Sequence, residues 1–296
     1  MPIRIDYLTP ETIEPYWPMT WPLTRTMLAS DDEGSMALGA RDGDRPIGLI
    51  LGKLTGWNQT GEILSVFVDP AYRGKGVGAA LMRYLEEGFA ELGMTRAKAS
   101  FNPETAEMGP LQRLLAKRGW SEPEDDSVVC VSTAGMILAA PWMDYPALDD
   151  DYAIGLWKDT GDEDREDIER RQRETAWIPD DLFPFPQDQG CDPATSVYLR
   201  YQGKIVGWVI THRWGPQALY YTCSYMRPDL QKLGRIVPLY ADSLRRMKRA
   251  GIPYGIWAVP MHHRAMVAFT RRRMAPHSLQ TAEMKGTSKA LGGPAS

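Results

Sequence analysis

Short apolar runs of period two, bounded by turn residues and followed by stretches of period 3.6, occur along this chain in the same order twice. Positions 35–40 (SMALGA), a turn at Asp42-Gly43-Asp44 and positions 46–51 (PIGLIL) predict a β-hairpin. Positions 196–201, a turn at Gln202-Gly203-Lys204 and positions 205–210 predict a second. Each hairpin is followed by another strand-like run, 62–68 and 220–226, then by a proline-marked turn and an amphipathic helix. The stripe Val77, Leu81, Leu85, Phe89 places the first helix at about 76–92, and Ile236, Leu239, Tyr240, Leu244 and Met247 mark the second. Gly93 and Gly251 are expected to stop them. Each half is then expected to close on a short strand, a helix and a final strand, with strands at 96–101 and 255–259 and helices at 111–117 and 265–272.

The repeat predicts two tandem α/β domains, each built on a mixed sheet. At 296 residues the chain has the length for both. A proline-bearing, acidic stretch at 140–151 sets the expected boundary, giving domains 1–144 and 145–296, and the tail 290–296 offers little to bury. The hydrophobic content of 43% and charged content of 24% are those of an ordinary globular protein. A net charge of -4 argues against a nucleic-acid partner. Cys130, Cys191 and Cys223 are widely spaced, which suggests neither a disulfide framework nor a zinc site. The first residues lack a basic and apolar leader pattern and no apolar run reaches about 18 residues, so a cytoplasmic protein without a membrane partner is expected. Trp and Pro cluster at 17–22, 177–179 and 183–186. These stretches read equally as surface loops pinned by aromatic anchors or as walls of a pocket.

The chemistry concentrates at 66–81, where a strand ends in Val66-Phe67-Val68-Asp69-Pro70 and a helix begins after Arg73-Gly74-Lys75-Gly76-Val77-Gly78. Free N–H groups at a helix start, backed by the positive end of its dipole, attract anions, and glycines let a diphosphate approach the main chain. A Walker loop would need Ser or Thr after Lys75, where Gly76 stands, and a dinucleotide loop would need a GxGxxG spacing that is missing here.

Arg73, Gly76 and Gly78, after a strand ending Val-Asp-Pro, resemble the acyl-CoA loop of the GNAT superfamily of N-acyltransferases, and the element order of both halves is similar to that family. The resemblance implies acetyl-CoA or another acyl-CoA as co-substrate. It also implies pyrophosphate contacts from Arg73, Gly74, Lys75, Gly76, Val77, Gly78 and Ala79, main-chain contacts from Phe67 and Val68, and a cofactor contact from Asn102. The acceptor would be a small-molecule or peptide amine, acetylated directly in a ternary complex without a metal. An attacking amine must be neutral, so a base is needed. Glu62, eleven residues before Arg73, resembles the family's base, and alternation would place it on one face with Leu64, Val66 and Val68. The family's Tyr acid is replaced by Leu115, which leaves water or Tyr84 to protonate the thiolate.

The second half keeps Gln231 and Gly234 but has Ile236 at the position of Gly78, where a side chain is expected to obstruct a diphosphate, so this half reads as a degenerate copy. Its Tyr220 occupies the Glu62 position. The adjacent His262 and His263 are expected to point apart, without a carboxylate to complete a metal set. Asp180, Asp181, Asp188 and Asp192 suit either loop solubility or attraction of a cationic amine. Two other functions compete with N-acetyl transfer: a non-catalytic CoA-binding or interaction module, and a GNAT-like acyl-thioester decarboxylase.

Overall fold

The computed structural model describes residues 3–20, 25, 34–55, 59–104, 108–145, 147–231 and 234–292. Its strands are β1 (Ile3–Tyr7), β2 (Ser35–Asp42), β3 (Arg45–Thr55), β4 (Thr60–Val68), β5 (Arg96–Phe101), β6 (Glu124–Ser132), β7 (Tyr152–Leu156), β8 (Val197–Tyr201), β9 (Lys204–Trp214), β10 (Ala218–Met226), β11 (Tyr254–Pro260) and β12 (Gln280–Ala290). The helices used below are α1 (Val77–Glu91), α2 (Met108–Lys117), α3 (Asp162–Thr175), α4 (Ile236–Arg249) and α5 (Arg264–Phe269). Among the described residues no helix is long and apolar enough to cross a membrane.

Packing divides the chain into two compact units, residues 1–127 with 283–296, and residues 128–282. These limits differ from the boundary expected at 144/145. The closing strand of the first half also differs from expectation, because β5 pairs antiparallel with β12, from the far end of the chain. The residues of β6 from Val128 onward belong to the second unit, in which this strand neighbours β11. Alternation reveals that a strand exists but not which edge it joins, and within 140–151 Met143, Trp142, Tyr145 and Leu148 pack into the core of the second unit.

The first unit has the order β1-β2-β3-β4-β5-β12, antiparallel from β1 to β4, parallel between β4 and β5 and antiparallel again at β12. Strand alternation along β3 sends Ile50 to a core under α1 and Leu49 and Leu51 to a smaller cluster on the other face, with Ile13 and Tyr16. The apolar stripe of α1 is buried as the 3.6 period requires, including Val77, Leu81, Leu85 and Phe89. Gly61 of β4 makes the slot for the Phe89 ring, since a Cβ there would stand 2.3 Å from it. The helix stops at Leu92, where Gly93 takes φ 80° and Met94 N–H reaches back to the Phe89 carbonyl at 2.9 Å. Leu291, from the tail expected to be loose, packs against this core.

The second unit repeats the plan as β7-β8-β9-β10-β11, with β6 completing it. Leu239, Leu244 and Met247 of α4 fill one core. The opposite core is aromatic, with Trp157 and Trp208 fully buried and Trp177, Phe183 and Phe185 packed around them. The Trp/Pro-rich stretch of this half is therefore a loop pinned to the core by its aromatic side chains, with Pro179 to Asp181 exposed.

Candidate active site

A β-bulge in β4 organises the first unit's site. Its pairing with β3 runs Thr60 to Ile63, skips Leu64 and resumes at Ser65. A bulge residue resets the alternation, so the single face expected for Glu62, Leu64, Val66 and Val68 does not form. Val66 and Val68 pack toward the α1 core, whereas Leu64 packs in the cluster on the other face. The parallel pairing of β4 with β5 covers only Thr60–Ile63, so the strands part after Ile63 and Ala99. Asp69 N–H donates to the Ile47 carbonyl at 2.9 Å, and by the two-residue period Phe67 also addresses β3. Val66 and Val68 therefore turn their peptide groups to the side that β5 has left. Of the two residues expected to offer main chain there, Val68 turns its peptide groups to that side and Phe67 turns its own toward β3.

The glycine loop follows directly. Asp69 caps the turn Pro70–Tyr72 by accepting from Ala71 N–H at 2.9 Å, and Arg45 holds its other oxygen at 2.9 Å. Arg73 Nε donates to the Val68 carbonyl at 3.0 Å, and Lys75 lies over the Tyr72 ring. Gly74 and Gly76 have φ of 76° and 86°, values that favour glycine, with no neighbouring atom where a Cβ would go. Gly76 starts α1 without a side-chain cap, and the first helical bond is Ala80 N–H to its carbonyl. Val77, Gly78 and Ala79 thus present N–H groups that the helix itself leaves unpaired. Gly78 plays a different part, because its missing Cβ would face Leu114 and Val68 at 3.5 Å, on the protein side. The obstruction expected of Ile236, the matching residue of the second unit, is accordingly absent: Ile236 packs against the core under α4.

On the face away from α1, Glu62 stands in register between Lys53 of β3 and Lys98 of β5. Burial pushes its carboxyl above the usual value and Asp126 adds to the rise, while Lys98 and Lys53 partly offset it. Asp126 accepts from Lys98 Nζ at 2.8 Å, Ser100 Oγ at 2.9 Å and Ser127 Oγ at 3.2 Å. Burial opposes its ionisation, but these donors outweigh burial and hold its carboxyl below the ordinary value. Gly286 of β12 leaves room for it, since a Cβ there would stand 2.8 Å away. Two carboxyls with values pushed apart, one to hold and one to exchange a proton, are an arrangement suited to acid–base work. Sequence reading missed Lys98, Ser100 and Asp126. The polar-small alternation Lys98-Ala99-Ser100 was the available signal, but Asp126 comes from a distant strand.

Residues 4–119 match the acetyltransferase (GNAT) family model. Residues 4–119 thus form a domain of the GNAT acetyltransferase family. The chain is similar in fold over its whole length to a tandem GNAT protein from the clavulanic acid biosynthesis pathway, at 14% identity, 100% coverage of each chain and TM-score 0.62. It is likewise similar to a GCN5-related N-acetyltransferase from Sphaerobacter thermophilus, at 14% identity, covering 98% of this chain and 96% of that one, with TM-score 0.64. No curated protein sequence matches it significantly. Both units therefore have the GNAT fold, and the family's co-substrate is an acyl-CoA.

Asn102 closes a local turn, its Oδ1 accepting from Glu104 N–H at 2.9 Å. Leu115 is buried in the core and Tyr84 is exposed beside the Arg83 guanidinium. In the second unit Asp188 is taken by Trp157 and Arg165, and Asp192 by Arg213 and Thr195, so these carboxylates serve the fold. His262 and His263 do not point apart, because both Nε2 atoms reach Asp181 Oδ2, at 2.8 and 2.6 Å.

Proposed function

We propose that the first unit binds acetyl-CoA in the opening between β4 and β5 and acetylates a small-molecule or peptide amine by direct transfer in a ternary complex. The observation that carries this reading is the parting of β4 from β5 after Ile63, with β4 leading through the glycine loop to the uncapped start of α1. The peptide groups of Val66 and Val68 pair with the pantetheine amides as an added strand would. The N–H groups of the loop from Gly74 to Ala79, with Arg73 and Lys75 nearby, receive the pyrophosphate. Asn102, at the end of β5, borders the same opening.

The acyl carbonyl then lies toward Glu62. The amine nitrogen attacks that carbonyl, forming the N–C bond, and Glu62 takes the ammonium proton directly or through one water. Collapse of the tetrahedral adduct breaks the C–S bond. The thiolate takes its proton from water, since Leu115 has none to give and is buried. A carboxyl raised by burial suits the base, because its conjugate acid lies nearer to neutral pH.

The test is acetyl-CoA binding by calorimetry with Gly76→Glu, a change that places a carboxylate in a positive-φ anion cradle. Binding should fall about a hundredfold or more, given the like-charge cost and the lost main-chain approach. Unchanged affinity would remove the cofactor from this loop.

A further inference from the structure

We propose that the second unit holds a divalent transition-metal ion on Asp181, His262 and His263. Asp181 lies 81 and 82 residues from the adjacent His262 and His263, yet the donor atoms of all three fall within 4.8 Å of one another. Neighbouring histidines on an extended strand would send their rings to opposite faces. An inverse γ-turn prevents this here. His263, just after β11, has φ -80° and ψ 62°, and Arg264 N–H donates to the His262 carbonyl at 3.0 Å. The turn is itself tied to the strand end by His263 N–H on the Pro260 carbonyl at 3.0 Å. The two rings lie side by side with centroids 4.2 Å apart.

Asp181 is held in place independently. Its carbonyl accepts from the buried Gln187 side chain at 2.6 Å, and Cys223 Sγ donates to the next carbonyl, Leu182, at 3.2 Å. These bonds fix the turn Asp180–Leu182 over β10, so the carboxylate meets the imidazoles without a long side chain having to be ordered. All the anchors belong to the second unit.

Two imidazole nitrogens and one carboxylate oxygen form a donor set suited to zinc, cobalt or nickel, and three protein ligands leave at least one coordination position open. His262 is 65% exposed, so the open position faces solvent. Without metal, each Nε2 lies on the carboxylate oxygen at hydrogen-bond distance. Ligand atoms bound at about 2.0–2.2 Å in a tetrahedron stand about 3.3 Å apart. The ion therefore requires the trio to open by roughly half an ångström, a small rotation for an exposed ring. Each imidazole coordinates in its neutral form through Nε2, with its remaining proton on Nδ1. The bound ion pins the segment around Asp181 to the end of β11, where that strand has already parted from β10.

The experiment is calorimetric titration of the chelator-stripped full-length protein with ZnCl2, repeated with CoCl2 and followed by visible absorption. About one equivalent should saturate the protein, and cobalt should give d–d bands of nitrogen and oxygen ligation. Asp181→Asn and His263→Ala should each weaken binding about tenfold or more, since even outer-sphere changes at metal sites cost that much. His277→Ala, a histidine outside the cluster, should leave binding unchanged. Asp181→Asn is isosteric and keeps the backbone bond from Gln187, and near-ultraviolet circular dichroism verifies that each variant is folded. Absence of saturable binding, or binding indifferent to Asp181→Asn and His263→Ala, would overturn the proposal.

Discussion

In both units the strand before the helix bulges once and then leaves its parallel neighbour, after Ile63 in β4 and after Tyr221 in β10. The backbone device is the same, but the side chains below it differ. In the first unit Glu62 and Lys98 face each other across the paired strands, and Ser100 follows on the same side. In the second the matching positions are Tyr220, Ile256 and Ala258, and the face opposite α4 is packed with Trp157, Trp208 and Ile178. Tyr225, at the place of Phe67, donates its hydroxyl proton to the Trp177 carbonyl. The fold thus supplies an opening twice, and the first copy lines it with Glu62, a carboxyl that burial raises.

The strongest way to break this contrast is to exchange the bases. Glu62→Gln should lower kcat for amine acetylation by about 10²–10⁴-fold, the usual worth of a general base, with acetyl-CoA affinity retained. Tyr220→Phe should leave both unchanged. Equal losses in steady-state assays of the two variants would mean that chemistry is not confined to the first unit.

A second way concerns stability. Glu86 on α1 is almost fully buried and accepts from Arg118 at 2.7 and 3.0 Å, Trp120 at 3.0 Å and Lys289 at 2.6 Å. Burial alone would raise its carboxyl, yet these donors outweigh burial and lower it. Glu86→Ala leaves Arg118 and Lys289 uncompensated and should cost about 3–5 kcal/mol in denaturant unfolding, about as much as Trp208→Ala in the aromatic core of the second unit. The two losses differ in pH dependence. A folded-state value below the unfolded one gives stability that is fully present above the unfolded carboxyl value, about 4.3, and is lost as pH falls through the folded value. The wild-type advantage over Glu86→Ala should therefore shrink toward acid, while the advantage over Trp208→Ala should not.

The repeat, both helices with their glycine stops, and the glycine turn before α1 were legible because each rests on local rules of period and φ. The partner of β5 was not, because β12 lies almost two hundred residues further along and carries no local mark of where it pairs. The face of Glu62 relative to Val66 was misjudged for a related reason, since one bulge at Leu64 reverses every later position and leaves no trace in the pattern. Asp126 and the Asp181 cluster were missed because each is assembled from distant segments. The γ-turn at His263 is the exception that breaks a sound rule about adjacent side chains.

The smallest effect tests the charge arrangement itself. The Glu62 carboxyl is raised by burial and by Asp126 and lowered by Lys98. A base works only when deprotonated, so the acid limb of kcat/KM should follow the Glu62 value. Lys98→Met removes the cation that favours its ionised form and should move that limb to higher pH by about one unit, the low end of what a nearby charge contributes. Asp126→Asn removes the opposing anion, leaves Lys98 in place and should move the limb to lower pH by a similar or smaller amount. Opposite shifts in pH–rate profiles of the two variants identify Glu62 as the titrating group. Shifts of the same sign, or none, would assign the limb to another residue and leave the polar face of the first unit a structural feature, as the aromatic face of the second already is.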